Sequence, residues 1–497
     1  MSSMQYITNI VDLTSWQVIL FLVGTFLASA VDAALGWRNT LGNRLKERLA
    51  ALREIHPLAG KILTDAKVSQ AESYRRDSLN LSNFSDTVTS GIETLILLFG
   101  VTPFSIWAVF HVFPGIWPCV GIALGLFAVS LLGRAYEIPF SYLDTFSVEE
   151  RHGFNRMSRG MFFSDQLKGI AISAVFGIPI STVCAFFLER YGDASWTNFA
   201  LIFLALVATG PVMEYLSTHV LMRLFNRFEP LKKGSLRRKI EGMLVRNGMT
   251  ASSIVVMDSG KRSSHVNAFV HGFGRKKRIV LFDELLKKLS EEEVLSVVAH
   301  EIGHAKLHHL AWERLISTVS SAAIVGLALW GMNSFSLYDA FGYRYVNVGN
   351  LPSFRFVGFM LVTSLVGAVS WIASPVSAWL SRKMEREADA FAAKENGKDN
   401  LRTALLKLNA DNLSNVAPDP AYEAWNYSHP SILPRLEALG RIPDAKEKWA
   451  KRPGGKGPER KRRRRRTRKN LVFNGTGTAA LHAEHCPCRS HVADFSR

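Results

Sequence analysis

The chain has 497 residues, of which 48% are hydrophobic, and 60 Lys and Arg against 42 Asp and Glu give it a formal net charge of +18 at pH 7. This apolar fraction is high for a soluble protein with so many charges, and four cysteines exclude a small disulfide-rich domain. Long apolar blocks alternate with basic connectors, and this pattern indicates a polytopic membrane protein.

Seven apolar blocks approach the roughly 20 residues that a helix needs to cross a bilayer. They lie at residues 16–35, 91–112, 114–132, 169–188, 196–215, 311–332 and 356–375. We therefore predict a mainly α-helical protein with about seven transmembrane helices. Five of them belong to an N-terminal membrane region, and helices six and seven belong to a later one. The predicted boundaries of these two regions are 1–222 and 311–380.

The distribution of basic residues predicts an orientation in the membrane. Lys and Arg concentrate in residues 38–76, 134–168 and 223–288 and after residue 382, whereas the first fifteen residues have none. Basic connectors accumulate on the cytosolic side of membranes. We therefore expect a lumenal N-terminus and a cytosolic C-terminus, which an odd number of spans allows.

Residues 223–310 predict a small cytosolic α+β unit. An amphipathic helix ends near Asn247, and three short apolar runs follow it as strand candidates. The strand candidates are residues 254–257, 267–273 and 278–282. Ser290 and Glu293 then have the spacing of a capping box, in which each side chain bonds the backbone of the other residue. The box predicts a helix that continues through residues 300–304 towards the sixth span.

Residues 300–304 read HEIGH, the most informative motif in the chain. Side chains four residues apart share one helix face, so His300 and His304 can converge on one Zn²⁺. Glu301 would then take a proton from a water polarised by the metal. The motif predicts a zinc hydrolase that binds one zinc ion per chain, with an ordinary helix carrying two histidines as the alternative.

A third protein ligand is required, and it must come from elsewhere in the chain. One known extension of the motif needs Gly and His where Leu307 and Leu310 stand, so that class is excluded. A later helix offers Glu385 as a ligand, with Asp389 four residues on to hydrogen-bond the outer nitrogen of a ligand His. Because the seventh span returns the chain to the cytosolic face, residues 381–440 are predicted to complete the unit.

His429 and Arg435 are further candidates for the site, whereas His308 and His309 are not. His429 and Arg435 could stabilise an oxyanion near the metal, although a His before Pro usually caps a turn. His308 and His309 continue the zinc helix but turn away from its ligand face by the helical period. We expect these two to be structural or exposed.

Residues 441–497 form a basic tail that we predict to be disordered. Between Arg441 and Lys469 there are fifteen Lys or Arg and three acids, a net charge of +12. Such a run cannot pack on itself. Anionic lipid head groups are a candidate partner, with a nuclear-type address, RNA binding and a merely solvated tail as alternatives. We expect no specific nucleic-acid partner.

Several long stretches make the chain resemble the type I CAAX prenyl proteases, membrane zinc endopeptidases that process farnesylated proteins. These stretches are GIETLILLFG, TFSVEERHGFN, SGKRSSHVNAFVHGFGRKKRIVLFDELL, VVAHEIGHAKLHH, SLYDAFGY, LSRKMEREADAFA and WNYSHPSILPRLEAL. They spread over residues 91–439, so the resemblance covers much more than the metal motif.

The resemblance implies zinc held by His300, His304 and Glu385, with Glu301 as the base and Asp389 behind the ligands. It also implies that Asn267 lies on a substrate-pairing edge strand and that His429 and Arg435 stabilise the transition state. Seven spans would surround a water-filled chamber in the endoplasmic reticulum membrane. The implied reaction is hydrolysis after a C-terminal prenylated Cys, which releases the last three residues.

Two alternatives use the same residues differently. A membrane quality-control protease for misfolded or translocon-stalled chains would have the same catalytic groups and different substrates. A non-catalytic scaffold with a structural metal is the other alternative. Structural zinc sites have four protein ligands, whereas three are predicted here, so the scaffold is disfavoured.

Overall fold

The computed structural model describes residues 11–41, 44–272, 274–342 and 354–440. Most of them are helical. The helices are α1 (Trp16–Thr40), α2 (Leu45–Ile55), α3 (Ala59–Ile62), α4 (Asp65–Leu98), α5 (Val101–Val112), α6 (Pro118–Leu143), α7 (Arg159–Ile172), α8 (Ile178–Tyr191), α9 (Trp196–Leu216), α10 (Met222–Phe225), α11 (Ser235–Arg246), α12 (Asp283–Lys288), α13 (Glu291–Lys306), α14 (His309–Gly331), α15 (Phe335–Ala340), α16 (Phe354–Ser370), α17 (Ser374–Asn396), α18 (Lys398–Asp411), α19 (Pro420–Asn426) and α20 (Ile432–Leu439).

Within the described ranges, six helical segments are long and apolar enough to cross a membrane. They are Trp16–Thr40, Pro118–Glu149, Arg159–Tyr191, Trp196–Leu216, His309–Gly331 and Arg355–Asn396. Helices α4 and α5 form a further apolar pair that is bent by 57°, which makes seven spans if the pair counts as one. The predicted mainly helical membrane fold is therefore confirmed. The second predicted span, residues 91–112, corresponds to the bent pair.

A four-stranded sheet follows the fifth apolar block. Its strands are β1 (Phe228–Pro230), β2 (Thr250–Met257), β3 (Ala268–His271) and β4 (Lys276–Phe282). The order is β1-β2-β4-β3, in which β2 and β4 are parallel and the other two pairs are antiparallel. Strand β3 is therefore an edge strand, and it packs against helix α13. All three predicted strands are present, and β1 is an additional one.

Helix α13 lies in the largest apolar core of the protein. Its start is the predicted capping box, since the Ser290 side chain accepts from the backbone at Glu293 and the Ser290 N–H donates to Glu293 Oε2 at 2.8 Å. Val298, Ala299 and Ile302 on this helix are fully buried. Their cluster joins residues of the sheet, α11, α18 and α20, and also residues of α2 and α3 near the N-terminus.

Helices α13 and α17 pack closely at Gly303, inside the metal motif. A Cβ placed on Gly303 would lie 3.1 Å from Phe391 Cδ1 and 3.3 Å from the Ala388 backbone Cα. These separations are tighter than ordinary van der Waals contact, so a side chain at residue 303 would push the helices apart. Helix α17 continues from the last apolar span, so this contact joins the two sequence regions on which the predicted metal ligands lie.

Three expectations are not tested by this fold. The basic tail 441–497 lies outside the described residues. The domain boundaries drawn from the sequence stay a prediction, and so does the chamber within the membrane region.

We predict that Gly303→Val lowers the apparent free energy of unfolding by roughly 1–3 kcal/mol, the usual cost of overpacking a tight contact. SDS titration in mixed micelles would measure it. Gly242→Val in α11 is the matched control, because a Cβ there would meet only Arg246 Nη1, at 3.6 Å. Equal effects of the two substitutions would contradict close packing at Gly303.

Candidate metal centre

Three side chains from two helices converge on one point. His300 and His304 project from one face of α13, and Glu385 projects from α17. His300 Nε2 lies 3.2 Å from His304 Nε2 and 3.3 Å from Glu385 Oε2, and His304 Nε2 lies 3.2 Å from Glu385 Oε1. These residues are the one group in the described ranges whose donor atoms are arranged to hold a metal ion. The sequence-predicted ligand set is therefore brought together.

The separations between the donor atoms fit a tetrahedral metal. Ligand atoms about 2.0–2.1 Å from a tetrahedral zinc are about 3.3 Å from one another, close to the distances between these three side chains. Two imidazole nitrogens that face each other at 3.2 Å share at most one proton, whereas a cation satisfies both lone pairs. Three protein donors also leave a fourth tetrahedral position open, as in catalytic zinc sites.

Asp389 and Arg435 form the next layer behind His300. Asp389 Oδ1 lies 3.0 Å from His300 Nδ1, but the ring N–H is not aligned for a good hydrogen bond, so the contact is chiefly electrostatic. Arg435 donates to both Asp389 oxygens at 2.7 Å. Its guanidinium is 3.8 Å from Glu385 Oε2. Arg435 is thus engaged mainly with Asp389, while His300 is held between two carboxylates.

The electrostatics of the cluster favour positive charge at His300. Burial lowers the pKa of His300, but the Asp389 and Glu385 carboxylates outweigh it and raise that pKa to about 10. Burial raises the pKa of the Glu301 carboxyl, and the imidazoles of His300 and His304 oppose that rise. A site that attracts a proton this strongly also attracts a metal cation. Glu301 is poised as a stronger base than an exposed carboxylate.

His429 reaches the cluster from the loop after α19. Its Nδ1 is 2.8 Å from Glu385 Oε2, and its side chain is 52% exposed. Arg382, one turn before Glu385 on α17, holds that loop in place because it donates to the backbone carbonyls of Glu423 and Tyr427 at 2.8 and 2.7 Å. No sequence signal singles out Arg382, since its partners are backbone atoms distant in the chain.

Asn267 is exposed and directly precedes the edge strand β3. Its side chain accepts a hydrogen bond from the Ala268 N–H at 2.8 Å. The preceding residue, Val266, is fixed by Asn412, which accepts from the Val266 N–H at 3.0 Å and donates to its carbonyl at 3.2 Å. The edge of β3 is thus firmly positioned beside α13.

The expectation that His309 turns away from the ligand face is wrong. The zinc helix does not continue through it, because α13 ends at Lys306 and His308 has a left-handed backbone with φ of 60°. Helix α14 therefore starts in a new direction, and the buried His309 ring turns back so that its Nδ1 is 3.0 Å from His304 Nδ1. Its Nε2 is 3.2 Å from Glu387 Oε2. His308 is exposed, as expected.

The fold and the site together define a class of protein. A His-Glu-x-x-His helix closed by a carboxylate from a second helix, among several helices that can span a membrane, is the arrangement of a membrane metallopeptidase.

Comparisons with known proteins agree. Residues 230–442 match the model of peptidase family M48, and residues 48–227 match the model described as CAAX prenyl protease N-terminal, five membrane helices. The chain is 31% identical to CAAX prenyl protease 1 homolog of Arabidopsis thaliana, over 76% of this chain and 88% of the relative. It is 32% identical to the homolog of Oryza sativa subsp. japonica, over 79% and 91%.

A solved structure is similar as well. The crystal structure of Ste24p from S. mikatae matches with a TM-score of 0.74 at 26% identity, over 86% of this chain and 99% of that one. The chain therefore belongs to the CAAX prenyl protease 1 family of M48 metallopeptidases, and it is a metalloendopeptidase with membrane-spanning helices.

We predict that Arg435→Met destabilises the protein by about 3–5 kcal/mol, because it leaves the buried Asp389 carboxylate without its bidentate partner. The apparent free energy of unfolding in mixed micelles measures the effect. Arg246→Met is the control, since Arg246 is exposed and its 3.5 Å pair with Glu395 is worth at most about 1 kcal/mol. Similar small losses in both variants would show that the Asp389–Arg435 pair does not hold the site together.

Proposed function

We propose that this protein is a zinc endopeptidase that removes the last three residues of prenylated CAAX proteins. The observation that carries the proposal is the convergence of His300, His304 and Glu385, with Glu301 on the same helix. Membership of the CAAX prenyl protease 1 family supports the substrate class, because the curated relatives bear that name.

We propose zinc as the metal, held by His300 Nε2, His304 Nε2 and one oxygen of Glu385. Two imidazoles and a carboxylate are a common catalytic zinc set, and the donor separations suit its bond lengths. When bound, zinc would polarise a water molecule and the scissile carbonyl. Asp389 would hold His300 in orientation, as carboxylates behind ligand histidines do.

Glu301 would act as the general base and then as the general acid. Its carboxylate takes a proton from the attacking water and passes that proton to the leaving amine. A raised pKa suits both steps, because the group must release the proton as readily as it accepts it. The burial that raises the pKa of Glu301 therefore has a direct use in the reaction.

His429 and Arg435 would have different roles. His429 is half-exposed beside Glu385, so substrate can reach its ring, and it is placed to donate to a developing oxyanion. Arg435 has its guanidinium on Asp389. We therefore propose that Arg435 acts mainly by fixing Asp389, with electrostatic support of the transition state as a secondary effect.

The peptide part of the substrate would pair with the outer edge of β3, starting near Asn267. An exposed strand edge binds an extended peptide through main-chain hydrogen bonds, and β3 is an edge strand packed against the metal helix. The prenyl group would lie among the apolar spans, where each buried CH₂ is worth roughly 0.8 kcal/mol.

For localisation we propose the endoplasmic reticulum membrane, with the N-terminus lumenal and the metal site on the cytosolic side. The basic connectors support this orientation. The tail after Arg441 would then face anionic cytosolic lipid.

We predict that Glu301→Gln retains one zinc per chain and loses peptide cleavage by roughly 10²–10⁴-fold, the usual worth of a general base. Metal analysis and peptide hydrolysis of the purified protein measure the two quantities. Glu292→Gln, on the solvent side of the same helix and paired with Lys239, is the control that keeps activity. Full activity of Glu301→Gln with intact zinc content would eliminate the proposed mechanism.

We also predict that a farnesylated CAAX peptide is cleaved at least roughly 100-fold faster, as kcat/KM, than the same peptide without the lipid. Burial of only four CH₂ groups at roughly 0.8 kcal/mol each gives about 3 kcal/mol, or about that factor. A zinc chelator should stop both reactions. Equal rates for the two peptides would instead favour a quality-control protease that ignores prenylation.

A further inference from the structure

The two ligand histidines differ in what lies behind them. His300 has the Asp389 carboxylate 3.0 Å from its outer nitrogen. His304 has another imidazole there, that of His309, at 3.0 Å. We propose that His309 and Glu387 are positioning residues that keep His304 in the tautomer with its proton on Nδ1. The proposal rests on the proposed binding of zinc by His304.

The inner face of His304 identifies the nitrogen that would bind the metal. Its Nε2 lies 3.2 Å from both His300 Nε2 and Glu385 Oε1, whereas its Nδ1 points the opposite way, towards His309. A neutral imidazole carries its proton on one nitrogen only. Because Nε2 must offer a lone pair to the metal, the proton of His304 belongs on Nδ1.

The direction of the remaining hydrogen bonds then follows from Glu387. An ionised carboxylate can only accept, so His309 Nε2 donates to Glu387 Oε2 across 3.2 Å. That leaves His309 Nδ1 as an acceptor, and it accepts from His304 Nδ1–H. With Glu387 as the last acceptor, each Nδ1–H or Nε2–H of the two rings has an acceptor. His304 Nε2 then keeps the lone pair that would bind the metal.

Burial makes this arrangement necessary for His304. His309 is 3% exposed, so water cannot readily replace it as an acceptor, whereas the Glu387 side chain is 47% exposed at the end of the chain of contacts. An unsatisfied or wrongly oriented ring nitrogen at this depth costs free energy. The histidine pair is therefore poised to affect metal affinity, with Glu387 exerting the smaller influence.

The break between α13 and α14 is what brings His309 into place. On an uninterrupted helix, a residue five positions after His304 would point roughly 140° away from it. The left-handed backbone at His308 ends the helix instead, and His309 opens α14 with its ring directed back at the metal helix. A non-glycine residue in this conformation is uncommon. At His308 this conformation allows the His309 ring to contact His304.

The test compares His309→Met with His309→Gln in the full-length protein, because Met and Gln are similar in size and only Gln can accept from His304 and donate to Glu387. Competition between the purified apoprotein and a chromophoric chelator for Zn²⁺ measures affinity without reference to activity. We expect His309→Met to weaken zinc binding by roughly 10–100-fold and His309→Gln to bind within a few-fold of the wild type. Equal affinities of the Met variant and the wild type would overturn the proposal, and so would an equal loss in both variants.

Two further variants keep the test decisive. His308→Asn is the control: residue 308 is exposed and Asn tolerates its left-handed backbone, so zinc affinity should not change. If His309→Met does not fold, Glu387→Ala takes its place, because this half-exposed residue is tolerant of substitution. A few-fold loss of affinity is expected there, and unchanged affinity would overturn the proposal. A wild-type protein that binds no zinc would instead refute the proposed function itself.

Discussion

The close contact between α13 and α17 is the constraint on which the site depends. Gly303 allows Ala388 and Phe391 to approach the metal helix almost to backbone contact. This approach brings Glu385 to the two histidines and Asp389 to His300. Between the two helices the chain runs through the apolar helices α14 and α16. The candidate metal centre thus depends on how the membrane region returns the chain, and not on the His-Glu-x-x-His motif alone.

Packing the helices this tightly buries charge, which costs free energy unless each charge has a partner. Asp389 and Glu385 are both almost fully buried. Arg435 compensates Asp389 with two hydrogen bonds, and the ligand histidines and His429 lie around Glu385. Burial tends to neutralise Glu301, whose pKa rises, while the nearby carboxylates raise the pKa of His300. The same network that tolerates buried acids therefore creates a centre that attracts a cation.

The features that could be predicted from the sequence are those that depend on local residue spacing or on long apolar runs. The capping box at Ser290 depends on residues three apart, and the ligand pair on residues four apart, so both could be predicted directly. Glu385 was predictable because the last span constrains where α17 returns. The role of His309 was not, since it depends on the backbone of the single residue His308. The bidentate partner of Arg435 was also beyond prediction, because spacing alone cannot show which of several nearby acids a guanidinium reaches.

A second buried network links the membrane region to the edge strand beside the metal helix. Glu149, at the end of a membrane-spanning segment, accepts from Tyr74 at 2.6 Å and contacts His265 at 3.2 Å, while Phe154 stacks on the His265 ring at 4.0 Å. His265 lies three residues before Ala268, where β3 begins. Fully paired buried groups make a network rigid. The end of this membrane-spanning segment and the residues that lead into β3 are therefore held by one buried network.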